Sequence, residues 1–373
     1  MKVLHTIDSL GIYGAETVLL NLAEAQREQG HSPVVLSIGA PGCAPKAIEA
    51  AAAARGIECI PFRMRDGLNL KGAADLLRAA GAQRIDAIHS HGYKTNILLG
   101  LVGKPHGAPP VVTTLHGWTA KGTFSKLGLY RFLDQRLLRR HDAVVLVNDD
   151  MKKLGAIRAL PPNKVFSIPN GIALEAAQAR ADDAIAARLR EFHGAGSVLV
   201  GGVGRLSPEK NFGALIEALA RLPAALRHVK LALLGTGAQE AQLRELVAAR
   251  GLTDRVWLAG YVANARAYLP QLDILAIPSL TEGLPMILLE AMAAEVPTVS
   301  TAVGAIPNTL AGCGALVPAG DVDALSAAIA DYARDLPAAR AQAAAARQRV
   351  HEHFSASTMA TRYLEVYEAA RRR

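Results

Sequence analysis

Cysteine and long apolar runs are scarce in this chain, and regular aromatic interleaving is absent. The three cysteines, Cys43, Cys59 and Cys313, are odd in number. They form no C-x-x-C pair and have no nearby histidines at ligand spacing, which excludes a disulfide framework and leaves ordinary reduced thiols. The longest uncharged stretch, Val296 to Gly320, is interrupted by Pro297, Pro307, Pro318 and several glycines, so no membrane-spanning helix is readable. His5 and Asp8 cut short the first apolar run, so no signal-peptide core is present and a cytoplasmic location is expected. Basic residues adjoin aliphatic faces without regular aromatic partners, which argues against a nucleic-acid partner.

What is present is a folded composition: 373 residues, 51% hydrophobic and 20% charged. The length predicts two domains. Charge is unevenly placed. Residues 1–170 carry 21 Lys and Arg against 13 Asp and Glu, a net +8, whereas residues 171–373 carry 20 of each. The first half is therefore expected to meet something acidic, or else simply to have a basic solvated surface.

Short β-branched runs alternate with amphipathic ones along the whole chain. Lys2 to Ile7, Pro33 to Ile38, Ile57 to Phe62, Ile85 to His89, Val111 to Leu115 and Ala143 to Val147 read as strands, with a helix from Ala15 to Gln29 after the first. A second series reads at Val198 to Val203, Lys230 to Leu234, Val256 to Leu258, Ile274 to Ile277 and Thr298 to Ser300. Nearly continuous apolar strands joined by helices imply parallel sheets covered on both faces. The expected fold class is α/β, two doubly wound units with a hinge in 170–196 after the turn dipeptide Asn170-Gly171. Ligands of such sheets sit beyond the carboxyl ends of the strands.

The densest candidate site is Gly201-Gly202-Val203-Gly204-Arg205-Leu206-Ser207-Pro208-Glu209-Lys210-Asn211. It leaves a strand, bends and enters a helix with Asn211 as the expected N-cap. Arg205 and Lys210 fall in the turn, where a guanidinium fork, an ammonium and helix N–H groups can address one diphosphate. Glu282 and Glu290 flank the start of a later helix; capping and solvation are the plain alternative for them. Gly14 opens a helix after the first strand, where backbone could approach a phosphate or sugar oxygen. Gly235-Thr236-Gly237 imitates a dinucleotide fingerprint but has Glu240 in place of the third glycine. His89, His91 and His116 lie at strand ends; the i, i+2 spacing of the first two places them on opposite faces of an extended strand, and no metal site is expected. The segment Lys121 to Arg140 is basic and amphipathic, read equally as a helix on anionic lipid or as a core-facing helix with a solvated basic side.

Together these stretches resemble glycosyltransferase family 4, the retaining, nucleotide-sugar-dependent group with the GT-B fold. The ordered set is Gly204-Arg205-Leu206, Lys210-Asn211, Leu258-Ala259-Gly260-Tyr261, Pro278-Ser279, Glu282-Gly283-Leu284-Pro285, Glu290 and Pro297. The first half adds Gly14-Ala15-Glu16, His89-Ser90-His91-Gly92, Leu115-His116-Gly117 and Ile168-Pro169-Asn170-Gly171. The resemblance implies two Rossmann-like domains facing each other across a cleft: an acceptor domain over 1–170, joined by a returning helix in 355–373, and a donor domain over 171–354.

It further implies that Arg205 and Lys210 bind the donor diphosphate and Glu290 the ribose. Glu282, with backbone at Gly283 and Leu284, would contact the transferred sugar. Tyr261 and Val262 would border the base, Gly14 would approach the diphosphate, and His116 would face the sugar. No cofactor or metal is implied, since the cations take the metal's part. The expected partners are a nucleoside-diphosphate sugar, a saccharide or lipid-linked acceptor, and an anionic membrane surface through 121–140, with peripheral attachment at its inner face. The chain departs from the pattern at Tyr13, where a second glycine is common, and at Asn148, where serine is common. A nucleotide-sugar isomerase of the 2-epimerase type and a non-catalytic nucleotide-sugar-binding module are the alternatives.

Overall fold

The computed structural model describes residues 1–9, 11–104, 106–116, 126–174 and 182–373. They form two compact units, Met1–Ala173 with Ser355–Arg373, and Leu174–Phe354.

The first unit is built on seven parallel strands: β1 Lys2–Ile7, β2 Ser32–Gly39, β3 Glu58–Arg63, β4 Ala87–Ser90, β5 Val111–Leu115, β6 Ala143–Leu146 and β7 Val165–Ser167, in the order β3-β2-β1-β4-β5-β6-β7. Side chains alternate between faces. Val34, Leu36 and Ile38 join one apolar cluster, while Val35 joins another with Ile7, Leu19 and Ile48. Burial on both faces is why the strands read as unbroken apolar runs. Strand order reverses between β1 and β4, so the loops after these two strands diverge and leave room at their carboxyl ends.

The last helix, Ala356–Arg371, belongs to this unit. The Thr358 N–H donates to Ser355 Oγ at 3.0 Å, capping its start. Met359, Tyr363, Val366, Tyr367 and Ala370 form its buried stripe at three- and four-residue spacing. Gly171 is required by this docking. A Cβ there would meet the Ser355 carbonyl oxygen at 2.7 Å and Met359 Cβ at 2.9 Å, so the glycine marks a close crossing more than a free turn.

The second unit holds six parallel strands: β8 Val198–Val203, β9 Val229–Leu234, β10 Val256–Gly260, β11 Ile274–Ile277, β12 Thr298–Thr301 and β13 Ala315–Val317, in the order β10-β9-β8-β11-β12-β13. Its core joins Val200, Leu231, Ile274 and Val299 of the sheet to Phe212, Leu215, Leu325 and Ile329 of the covering helices. Here the order reverses between β8 and β11. The sequence reading lacks β7 and β13, both three-residue edge strands. Their residues are mostly apolar, but three positions are too few to show the runs or alternation by which strands are recognised.

Candidate functional site

In the second unit the chain leaves β8 at Gly204, whose φ of +151° favours glycine. The turn that follows is pinned by neighbouring backbone: Gly204 N–H donates to Leu234 O at 3.0 Å and Leu206 N–H to Thr236 O at 2.9 Å. Gly235 and Gly237 make this possible. A Cβ at Gly235 would lie 1.9 Å from the Gly204 carbonyl oxygen, and one at Gly237 2.2 Å from that of Leu206. The apparent fragment of a dinucleotide motif is thus a packing surface for the Arg205 turn. Asn211 does not cap the helix Phe212–Ala220 with its side chain; it sits in the left-handed region at φ +53° and ends the turn by its backbone.

Both expected cations have carboxylate partners. Arg205 donates to Glu209 Oε1 at 2.9 Å, and Ser207 Oγ donates to the same oxygen at 2.7 Å. Burial raises the Glu209 carboxyl, but these bonds and the adjacent guanidinium outweigh it and hold the group below its ordinary range. Lys210 donates to Glu282 Oε1 at 2.6 Å, and Ser279 Oγ donates there at 2.7 Å. The stem of Lys210 passes over Gly204, with Cε 3.8 Å from where a Cβ would be. Leu280 N–H donates to Glu209 O at 2.8 Å, tying the loop after β11 to the turn after β8.

Glu282 therefore acts as an ion-pair partner; no side-chain cap closes the helix Met286–Ala293. Its loop is held from below by Gly304, at φ +56°, where a Cβ would lie 2.1 Å from the Glu282 carbonyl oxygen. Ala305 N–H donates to Gly283 O at 2.9 Å, and Leu284 is buried. Glu290 lies on the following helix, where burial pushes its carboxyl up and Arg266 partly offsets the effect. Tyr261 is 70% exposed just beyond β10, and Val262 beside it is buried. Glu209, Ser279, Gly235, Gly237 and Gly304 were not singled out as site residues by sequence reasoning. Only the i, i+4 spacing of Arg205 and Glu209 offered a readable signal.

In the first unit, Gly14 begins the helix Gly14–Glu28, and Tyr13 N–H donates to Glu16 Oε2 at 3.0 Å. A Cβ at Gly14 would meet nothing within 4 Å, so packing does not demand glycine there. Tyr13 is 59% exposed, its ring lying over Gly11. A cavity of about 260 Å³ opens at the ends of β1, β4 and β5, lined by Asp8, Glu16, His91, Lys94, His116 and Asp134 among others. Burial raises the Asp8 carboxyl, but Lys46 and Lys94, each 2.6 Å away, outweigh it and hold it below its ordinary value.

The opposite-face reading of His89 and His91 fails. Side chains alternate along a strand, so residues two apart share a face, and the His91 ring, just past the end of β4 at Ser90, lies 3.9 Å, centroid to centroid, from that of His89. His5, which sequence reasoning passed over, completes a buried trio whose candidate ligand atoms lie within 4.8 Å of one another. The trio does not suit a cation as it stands. His89 Nδ1 is bonded to Tyr367 Oη and Nε2 to Thr114 Oγ1, both at 2.7 Å, so His89 keeps neither ring nitrogen free as a ligand. Burial is the first cause lowering the pKa of each member, and it also takes His116 down to about 4.

Residues 117–125 lie outside the described residues, taking in Gly117 and Trp118 after His116 and the start of the basic segment with Lys121 and Phe124, as does Leu10 of the first loop. The described part contains the helix Lys126–Leu137 and a 3₁₀ turn Leu138–Arg140. Asp134, Leu137 and Leu138 are buried, and Asn96 Nδ2 donates to Asp134 Oδ1 at 3.0 Å, so this helix has a core-facing side. Phe132 is half exposed, with the Arg136 guanidinium 4.9 Å from its ring centroid. Asn148 accepts from Met151 N–H at 3.1 Å and caps the short helix Asp149–Lys153. Among the described residues no helix is long and apolar enough to cross a membrane.

The second unit thus holds cations and carboxylates around one pair of strand-end loops, an arrangement suited to an anionic, hydroxyl-rich ligand. Known proteins point the same way. Residues 12–176 match the family described as Glycosyltransferase Family 4, and residues 197–335 the family described as Glycosyl transferases group 1. The 2-deoxystreptamine N-acetyl-D-glucosaminyltransferase of Streptomyces fradiae is 28% identical, the alignment covering 97% of this chain and 92% of that one. The alpha-maltose-1-phosphate synthase of Mycolicibacterium smegmatis is also 28% identical, with 79% and 82% covered. The crystal structure of Anabaena HepE in complex with UDP-glucose superposes with a TM-score of 0.82 at 22% identity, covering 99% of this chain and all of that one. Two parallel Rossmann-like sheets and the paired family matches make this chain a glycosyltransferase of the GT-B fold.

Proposed function

We propose that the chain is a retaining member of glycosyltransferase family 4, transferring a hexosyl unit from a nucleoside-diphosphate sugar to a saccharide or lipid-linked acceptor in envelope polysaccharide or glycolipid synthesis. The observation that carries this reading is the Lys210–Glu282 pair, 2.6 Å apart beside the Arg205 turn. Breaking a glycosyl–phosphate bond builds negative charge on the diphosphate and positive charge on the sugar. A fixed cation next to a fixed carboxylate matches that separation, and preorganised charges of this kind supply much of an enzyme's rate enhancement.

In this reading Arg205 and Lys210 hold the diphosphate and Glu290 takes the ribose hydroxyls. Glu282 and the backbone at Gly283 and Leu284 meet the transferred sugar, Tyr261 and Val262 border the base, and Gly14 offers backbone to the diphosphate. His116 orients the sugar or stabilises its developing charge. Attack comes on the face from which the diphosphate departs, and the leaving phosphate takes the acceptor's proton. Same-face attack needs no protein nucleophile, so none is assigned to Glu282, whose Oε1 accepts from Lys210 and Ser279. The cations do the work that a divalent metal does elsewhere, so neither metal nor cofactor is required.

Melting curves with UDP-, GDP- and ADP-sugars, followed by analysis of the sugar, test the reading. A donor at one hundred times its Kd stabilises the fold by about 2.7 kcal/mol, and the upward shift in Tm identifies the base. Transfer with retained anomeric configuration is the expected product. An epimer still attached to its nucleotide would favour the isomerase, and binding without turnover across an acceptor screen the binding module.

A further inference from the structure

Three histidines and a glutamine of the first unit form one continuous hydrogen-bonded chain. Gln26 Oε1 lies 2.8 Å from His5 Nε2, His5 Nδ1 lies 3.1 Å from His91 Nε2, and His91 Nδ1 lies 3.1 Å from His116 Nε2. The four residues come from four places in the sequence: the helix Gly14–Glu28, β1, the loop after β4 and the loop after β5. Gln26 and His5 are fully buried and His91 nearly so, while His116 borders the cavity at the strand ends.

A neutral imidazole carries one N–H and one lone pair, so each link dictates the next. The Gln26 amide turns its oxygen to His5 and its nitrogen to Tyr367, Nε2 donating to Tyr367 Oη at 3.3 Å. Its oxygen can only accept, so the proton of His5 sits on Nε2 and Nδ1 is a lone pair. His91 must then donate from Nε2 and accept at Nδ1, and His116 must donate from Nε2. Burial keeps these rings neutral near pH 7, holding His5 and His116 down to about 4 and His91 well below its ordinary value.

We propose that Gln26, acting through His5 and His91, fixes His116 in the Nε2–H tautomer and so makes its Nδ1 a permanent hydrogen-bond acceptor. Gln26, His5 and His91 are positioning residues. The consequence for the donor sugar rests on the reading of His116 given above. An acceptor nitrogen takes a hydrogen bond from a sugar hydroxyl and cannot serve as an acid, so the chain favours donors that present a hydroxyl to that atom.

The test is long-range ¹H–¹⁵N NMR on the full-length protein labelled at histidine nitrogens, at pH 7.5, with metal analysis of the same sample. The wild type is expected to show His5, His91 and His116 each as a single Nε2–H tautomer. Gln26→Met, which removes the acceptor, should turn His116 into a mixture and lower kcat by about tenfold, while affinity for the free nucleoside diphosphate stays within about twofold. Gln26→Glu, which can still accept, should restore the single tautomer. An Nδ1–H or mixed His116 in the wild type, an unchanged His116 in Gln26→Met, or stoichiometric zinc on the histidines would overturn the proposal. The wild-type spectrum decides even if Gln26→Met does not fold. Failure of the transferase reading would show separately, as wild type that neither binds nor turns over nucleotide sugars while keeping the tautomer pattern.

Discussion

Gly14 and Gly235 show two different reasons for a chain to hold glycine. At Gly235, φ is +146° and a Cβ would overlap the Gly204 carbonyl oxygen, so the fold itself excludes a side chain. At Gly14 there is open space, and only an approaching ligand would object. Gly235→Ala should therefore cost several kcal/mol, on the order of 3, through strain and displacement of the Arg205 turn. Gly14→Ala should leave the unfolding free energy from urea titration unchanged within about 0.5 kcal/mol while weakening donor binding, and equal effects on both properties in both variants would contradict the assignment. Residue chemistry was legible in sequence where it was local. Arg205 and Lys210 announce themselves in one turn, whereas His5 and Gln26 acquire meaning only when β1 lies beside β4 and the helix Gly14–Glu28 lies across them.

At the scale of elements, the helix Ala356–Arg371 ends the chain yet supplies Tyr363 and Tyr367 to the centre of the first sheet. Tyr367 Oη bonds to His89 Nδ1 at 2.7 Å, and Tyr363 Oη to Thr114 Oγ1 at 2.8 Å. The docked helix and the neutral histidines beneath it should fail together in acid. An unfolded histidine takes up a proton near 6.5, but His5 in the fold resists until about 4. Across that window the unfolded chain binds more protons, so stability falls as the pH drops, by about 1 kcal/mol per buried histidine between pH 7.5 and 5.5. Urea unfolding at the two values checks this; equal midpoints would contradict it. The strands were nearly all readable because burial on both faces gives long apolar runs. The exceptions, β7 and β13, are edge strands, and the start of the helix Phe212–Ala220 was misread because Asn211 contributes backbone shape and no side-chain cap.

For the whole molecule, the excess of positive charge in residues 1–170 is the feature that a soluble acceptor would leave unused. If the acceptor is lipid-linked, the protein should bind vesicles containing anionic lipid at low salt and release them as salt is raised, since each basic residue near such a surface contributes about 1 kcal/mol. The double variant Lys126→Glu with Arg139→Glu should weaken both vesicle binding and transfer to that acceptor. Indifference to anionic vesicles, with unchanged transfer by the variant, would remove the membrane from the account and leave a soluble saccharide. The relatives differ among themselves, one named for 2-deoxystreptamine and another for the synthesis of alpha-maltose 1-phosphate, so the acceptor was not legible from the shared motifs.

The most direct measurement is the rate at which Lys210→Ala hydrolyses the donor that best stabilises the wild type, water taking the place of the acceptor, followed as release of nucleoside diphosphate. A cation that stabilises the leaving group predicts a fall in kcat of about a hundredfold or more at saturating donor. Turnover within about twofold of wild type would contradict the role assigned to Lys210, because loss of a group that stabilises the transition state must appear in kcat.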